Sequence, residues 1–196
     1  MGSKELIQQI NKAYTHNPYI LKKSLIEIVQ FIEEFTKYRM YDQYETVGLS
    51  EQLKWESLIL IYCELFHSFV DKQRKIYKIY KDLTGLNLDK ERNEIINTSG
   101  IEHKILIELR NAIHHYAINF TRFSARADQN GKSIPSPNIE WHNVNLNNDL
   151  VKYVDKNYFL GGEKLIHLFS NHCQDFISIN SKLNIMLLEK ISSTKR

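Results

Sequence analysis

The chain has 196 residues, enough for one substantial core, and its 42% apolar and 25% charged residues, with only 7 Gly and 3 Pro, exclude a fibrous or disordered protein. A net charge of +3, from 26 basic against 23 acidic residues, permits an RNA partner without requiring one. Cys63 and Cys173 cannot make a disulfide framework, no secretory signal opens the sequence, and the longest apolar run, Leu58 to Cys63, is far below the ~20 residues that span a bilayer. The expectation is a cytoplasmic protein with no membrane segment.

Residues 4 to 14 suggest a short helix, after which Asn17-Pro18 supplies an N-cap and a proline for a second helix. Tyr19, Leu21, Leu25, Ile28, Val29, Ile32 and Phe35 mark its buried face to about residue 41, followed by a break around Thr46-Val47-Gly48. Ser50 is positioned to cap a long third helix ending near Thr84-Gly85, with Leu53, Leu58, Ile61, Leu65, Phe66, Phe69, Val70, Ile76, Tyr77 and Tyr80 inward. Its middle, from Leu58 to Phe66, is apolar nearly all round, as suits a helix buried between others or at a dimer seam. Glu64 interrupts it, and is either paired or solvated at the rim.

Asp89 to Asn97 reads as a short helix. Ser99 and Glu102 then have the spacing of a capping box, opening a helix whose stripe is Ile101, Ile105, Leu109, Ala112, Ile113, Tyr116 and Phe120. From 122 to 149 the helical pattern stops. Asp128-Gln129-Asn130-Gly131 is the strongest short turn signal in the chain, so a loop or small β-hairpin is inserted here. Asn147-Asn148-Asp149 can start a short helix that Gly161-Gly162 breaks. Glu163 to Ile191 forms the last helix, with Leu165, Leu168, Phe169, Phe176, Ile177, Leu183 and Met186 inward, and residues 192–196 fray. The chain reads as a single all-α domain, residues 1–196, without repeats.

Arg110-Asn111-Ala112-Ile113-His114-His115 resembles the signature of the HEPN superfamily: an arginine, a polar residue, then a histidine after four to six intervening positions. The resemblance covers roughly residues 18 to 121 and the last helix. It implies a HEPN-like helical bundle that dimerises and, in many members, a metal-independent endoribonuclease with a cleft shared between protomers. It also implies a toxin or phage-defence setting, with an antitoxin or nucleotidyltransferase as possible partner. At about 100° per residue Arg110 and His115 lie roughly 140° apart and do not meet on one straight helical face; the dimer that the resemblance implies lets them converge across a two-fold axis.

Metal-free RNA cleavage needs a base for the 2′-hydroxyl, an acid for the departing 5′-oxygen and a cation for the phosphoryl oxygens. Histidine, with an unperturbed pKa of ~6.5, suits both proton roles, and arginine's planar fork suits phosphate. By the resemblance His115 transfers protons, Arg110 holds the phosphate and Asn111 orients the site. His114, at i+4 from Arg110, competes with His115 for the acting role. Tyr116 either packs on the apolar stripe or is a modification target, although its spacing from the histidine departs from the family's. Arg122 and Arg126 are placed to hold RNA phosphates; Lys72, Arg74, Lys75, Lys78 and Lys81 form either an RNA-backbone patch or a solvated face. Plain alternatives stand beside these: Arg110 in a salt-bridge network with Glu64 or Glu108 and His115 merely exposed, or an inactive HEPN-like module that binds RNA, nucleotide or a partner protein. His67, His103, His142, His167 and His172 are scattered, and adjacent His172-Cys173 diverge on a helix, so neither a metal nor a cofactor is expected.

Overall fold

The computed structural model describes residues 3–35, 47–116, 121–127, 133–140, 159–161 and 163–194. Helix α1 (Ser3–Asn11) runs through a π turn (Lys12–His16) directly into α2 (Asn17–Glu33). The expected stop and restart at Asn17 is therefore corrected: the helix continues, and Asn17 is a buried helical residue rather than a cap. Pro18 has no N–H for the carbonyl four residues earlier and its ring crowds that carbonyl. The π turn just before it is where the helix absorbs the mismatch. Tyr19, expected inward, is 72% exposed, while Leu21, Ile28, Ile32 and Phe35 are buried as the periodicity requires.

Helix α3 (Leu49–Thr84) is the 36-residue spine. Its cap residue is Gly48, not Ser50, whose hydroxyl bonds the neighbouring Glu51 carboxylate instead. The C-terminus is as expected: Gly85 takes φ 70° and its N–H bonds the Lys81 carbonyl at 2.8 Å. Leu58, Phe66, Phe69, Ile76, Tyr77 and Tyr80 face inward, but Leu53 and Ile61 are about half exposed. Trp55, Ile59, Tyr62 and Cys63 fill the places assigned to them, because the buried stripe is set by α2, α5 and the last helix together.

Helices α4 (Asp89–Ile96) and α5 (Ile101–Tyr116) begin where their signals place them. Glu102 accepts a bond from Asn171 Nδ2 at 3.2 Å, and the Gly100 N–H donates to Asp175 at 2.8 Å, so the last helix pins the start of α5. Strands β1 (Thr121–Ala127) and β2 (Ser133–Glu140) pair antiparallel from Thr121↔Ile139 to Ala127↔Ser133, and β3 (Phe159–Gly161) adds to the far edge of β2. The hairpin alternative for the insertion is thus the one adopted, and its turn residues lie outside the described residues. So do Asn147 to Asp149. Gly161 ends a strand instead of breaking a helix. β3 pairs with Asn138 to Glu140, so among the described residues Pro135 and Pro137 lie where β2 has a strand on one side alone, the setting that tolerates proline.

The last helix, α6 (Glu163–Thr194), stays helical through Thr194, three residues beyond the expected end. Ile177, expected inward, is 37% exposed; Leu165, Leu168, Phe169, Phe176 and Leu183 are buried.

Two apolar clusters lie end to end along α3 and α6. The larger joins α2, α5 and the hairpin through Trp55, Phe31, Phe35, Leu106, Ile139 and Phe169; the Trp55 indole stacks on Phe31 and donates to the Asn138 carbonyl at 3.1 Å. The smaller joins α1 and the π turn to Ile76, Tyr80, Leu183 and Leu187. Between Phe69 and Ile76 on α3, and between Phe176 and Leu183 on α6, the fully buried amides of Gln73 and Asn180 bond each other, and Asn180 also donates to the Phe176 carbonyl. The described residues are therefore mostly helical, with one small sheet docked on the larger core, and no helix among them is long and apolar enough to cross a membrane.

Candidate functional site

Arg110 follows Leu109, which is 1% exposed, so its stem leaves the buried stripe of α5 at the edge of the larger core. Its side chain is 22% exposed and crosses to α3, with Nε 3.9 Å from Glu64 Oε1. Glu64 keeps 43% of its surface, so the two sequence alternatives merge: it is both paired and partly solvated. An ion pair of that length at a rim adds little stability. Asn111 Oδ1 accepts from Arg110 Nη1 at 3.4 Å. Arg110 Nε is buried and has no hydrogen-bond partner among the described residues. Cys63, directly below, is held neutral, its thiol pushed up by burial first and by Glu64 next, with Arg110 pulling the other way. The result is a half-buried cation held by a carboxylate and an amide.

The backbone continues as helix through His114, His115 and Tyr116, and Arg122 and Arg126 lie in β1. The side chains of these five residues are outside the described residues. The structure thus brings together Arg110, Asn111 and Glu64, and does not bear on the histidines. Glu108, the other acid weighed as a partner for Arg110, is half-buried two residues back along α5.

A second polar cluster escaped the sequence reading. His172 is fully buried on α6, with Nδ1 2.9 Å from the Tyr62 hydroxyl and Nε2 3.2 Å from Nδ1 of His103 on α5; the two imidazoles stack 12° from parallel. The Tyr62 hydroxyl also lies 3.3 Å from the Phe169 carbonyl. One proton arrangement satisfies every contact: Tyr62 donates to the Phe169 carbonyl, His172 Nδ1–H donates to the Tyr62 oxygen, and His103 Nδ1–H donates to His172 Nε2. Burial, and secondarily His103, lowers the His172 pKa to about 3, and burial lowers that of His103 against a smaller upward pull from Asp175. His172 was legible as buried: Leu168, Phe169 and Phe176, at i−4, i−3 and i+4, are all apolar. Its partners, 69 and 110 residues away, were not.

Among the described residues no three His, Cys, Asp or Glu side chains are grouped to hold a metal. Comparison with family models, with curated proteins and with solved structures returned no match.

Proposed function

We propose that the chain is a metal-independent endoribonuclease of the HEPN type, acting as a homodimer in a toxin or phage-defence setting. The observation that carries this reading is the Arg110 guanidinium, held at the rim by Glu64 and Asn111 with its side chain 22% exposed, on the helix that continues through His115. In this reading Arg110 binds the scissile phosphate and the charge that builds on it. One His115 takes the 2′-hydroxyl proton as that oxygen attacks phosphorus. A second His115, from the other protomer, protonates the 5′-oxygen as its bond to phosphorus breaks, leaving a 2′,3′-cyclic phosphate and a 5′-hydroxyl. A dimer seam is supported by Leu53, Leu60 and Ile61, exposed apolar side chains on α3 within three turns of Glu64. Arg122 and Arg126 hold flanking RNA, and an antitoxin or nucleotidyltransferase restrains the activity.

The test is incubation of wild type, His115→Ala and Arg110→Ala with mixed structured and single-stranded RNAs in excess EDTA, followed by analysis of fragment ends. The expected result is cleavage by wild type alone with the ends above, and a loss on the order of 10²-fold or more in Arg110→Ala. RNA binding that needs Arg110 without any cleavage refutes the nuclease and assigns an inactive binding module. Equal cleavage by wild type and His115→Ala moves the chemistry to His114.

A further inference from the structure

The smaller cluster ends in a cleft of about 260 Å³ between the C-terminal part of α3 and α4, lined by Arg74, Lys78, Lys81 and Arg92, with Asp89 the one carboxylate of the lining. Arg74 is partly neutralised by Asp71 at 3.0 Å, whereas Lys78 and Lys81 are exposed. Arg92 lies 5.4 Å over the Tyr77 ring, which fixes its guanidinium plane at the cleft wall. The cleft is lined further by Tyr77 and Tyr80, 7% and 0% exposed, whose hydroxyls have no hydrogen-bond partner among the described residues. Arg92 Nε is likewise buried without one, and so is the hydroxyl of Tyr14 in the same cluster.

Buried hydroxyls and guanidine nitrogens without partners are uncommon, and each costs about 1–3 kcal/mol when left so. Three of them belong to residues that line the cleft, Tyr77, Tyr80 and Arg92, beside the further cations of Arg74, Lys78 and Lys81, and mark a place built to be satisfied by a ligand. Every one of these groups is a donor to an anion: burial pushes Tyr14 and Tyr77 well above the ordinary tyrosine range, so both stay protonated. Several cations against one carboxylate suit an anion of more than one charge, and guanidinium with ammonium is the usual pairing for phosphate. The volume is many times the roughly 10–15 Å³ that one water needs, yet near the lower bound, about 300 Å³, of small-molecule pockets. The cleft is also separate from Arg110: from Glu64 to Lys78 along α3 is about 21 Å.

We propose that this cleft binds a small ligand through a diphosphate group, with Lys78, Lys81 and Arg92 matching its charge and the Tyr77 and Tyr80 hydroxyls donating to its oxygens. The test titrates inorganic pyrophosphate and, separately, ADP into the full chain by calorimetry. Both bind the wild type. Lys78→Gln/Lys81→Gln and Arg92→Gln each weaken binding about tenfold. Lys72→Gln/Lys75→Gln, which removes two charges from the same helix outside the lining, leaves it unchanged. Tyr80→Phe weakens binding severalfold while leaving the unliganded chain as stable as wild type or more so, which a merely structural hydroxyl would not do. Tighter binding of ADP than of pyrophosphate assigns a nucleotide as the source of the diphosphate; equal binding assigns the free diphosphate. The proposal is overturned if neither probe binds at millimolar concentration, if the Lys72/Lys75 variant loses as much as the Lys78/Lys81 variant, or if the cleft variants lose only affinity for single-stranded RNA.

Discussion

Acidification from pH 7 to pH 5 costs the folded chain about 2 kcal/mol through His172 alone. The imidazole is fully buried between Tyr62, Phe66 and His103, and its folded pKa is about 3 against ~6.5 in the unfolded chain. Because the folded value is the lower one, the unfolded chain binds the extra proton in the window between them. Stability is complete above ~6.5 and drains as pH falls toward 3; at pH 5, 1.5 units below the unfolded value, ~1.36 kcal/mol per unit gives about 2 kcal/mol. His103, also lowered by burial, acts in the same direction. The assay is urea unfolding of wild type and His172→Phe followed by circular dichroism at both pH values. Phenylalanine keeps the ring packing and leaves the Tyr62 hydroxyl its contact with the Phe169 carbonyl, so at pH 7 the variant is about 1–2 kcal/mol less stable from lost hydrogen bonds. By pH 5 that gap closes. A gap that stays the same at the two pH values refutes the argument.

Trp55→Ala costs about 3–5 kcal/mol by emptying the centre of the larger core, whereas Trp55→Phe, which chiefly removes the bond to Asn138, costs about 1–2; thermal and chemical denaturation separate the two. Gly85→Ala costs about 1–2 kcal/mol through backbone strain alone, since a Cβ there meets nothing within 4 Å at φ 70°. Gln73→Leu leaves the Asn180 carboxamide oxygen buried without its partner and costs about 1–3 kcal/mol, while Gln73→Leu with Asn180→Leu recovers most of that loss in a double-mutant cycle.

What the sequence disclosed about the fold was whatever depends on neighbours along the chain. Gly85 needs only its own φ to end α3, whereas α5 starts at the place the Ser99–Glu102 spacing marks but with Gly100 and Glu102 bonded to Asp175 and Asn171 of the last helix. The Asp128 to Gly131 signal left a loop or a small hairpin open and did not say that Ile139 would enter the main core with Phe123 packed against it. Periodicity failed where the partner decides which stripe is wet: Leu53 and Ile61 lie on the flank of α3 away from α2 and α6, while Trp55 and Ile59 point at them. The π turn was hidden because Asn17-Pro18 carries the same letters as a true helix start, and only the docked neighbours keep the chain helical through it. At the candidate site Glu64 was legible as the one acid interrupting an apolar run, with pairing and solvation both open, and the structure gives it some of each. The His103–His172 stack and the cationic cleft were not, because each assembles from segments that only packing brings together.

The Gln73–Asn180 bond acts as an alignment mark between the two longest helices. Apolar side chains tolerate a slide of one helical turn, because one leucine replaces another at little loss; a single buried amide facing a single buried amide does not, and both would lose their partner. The same mark lies between the two apolar clusters along these helices. Opening of the α1 end can therefore stop at Gln73, leaving the end that carries Arg110 intact, and amide exchange along α3 would change rate at that residue.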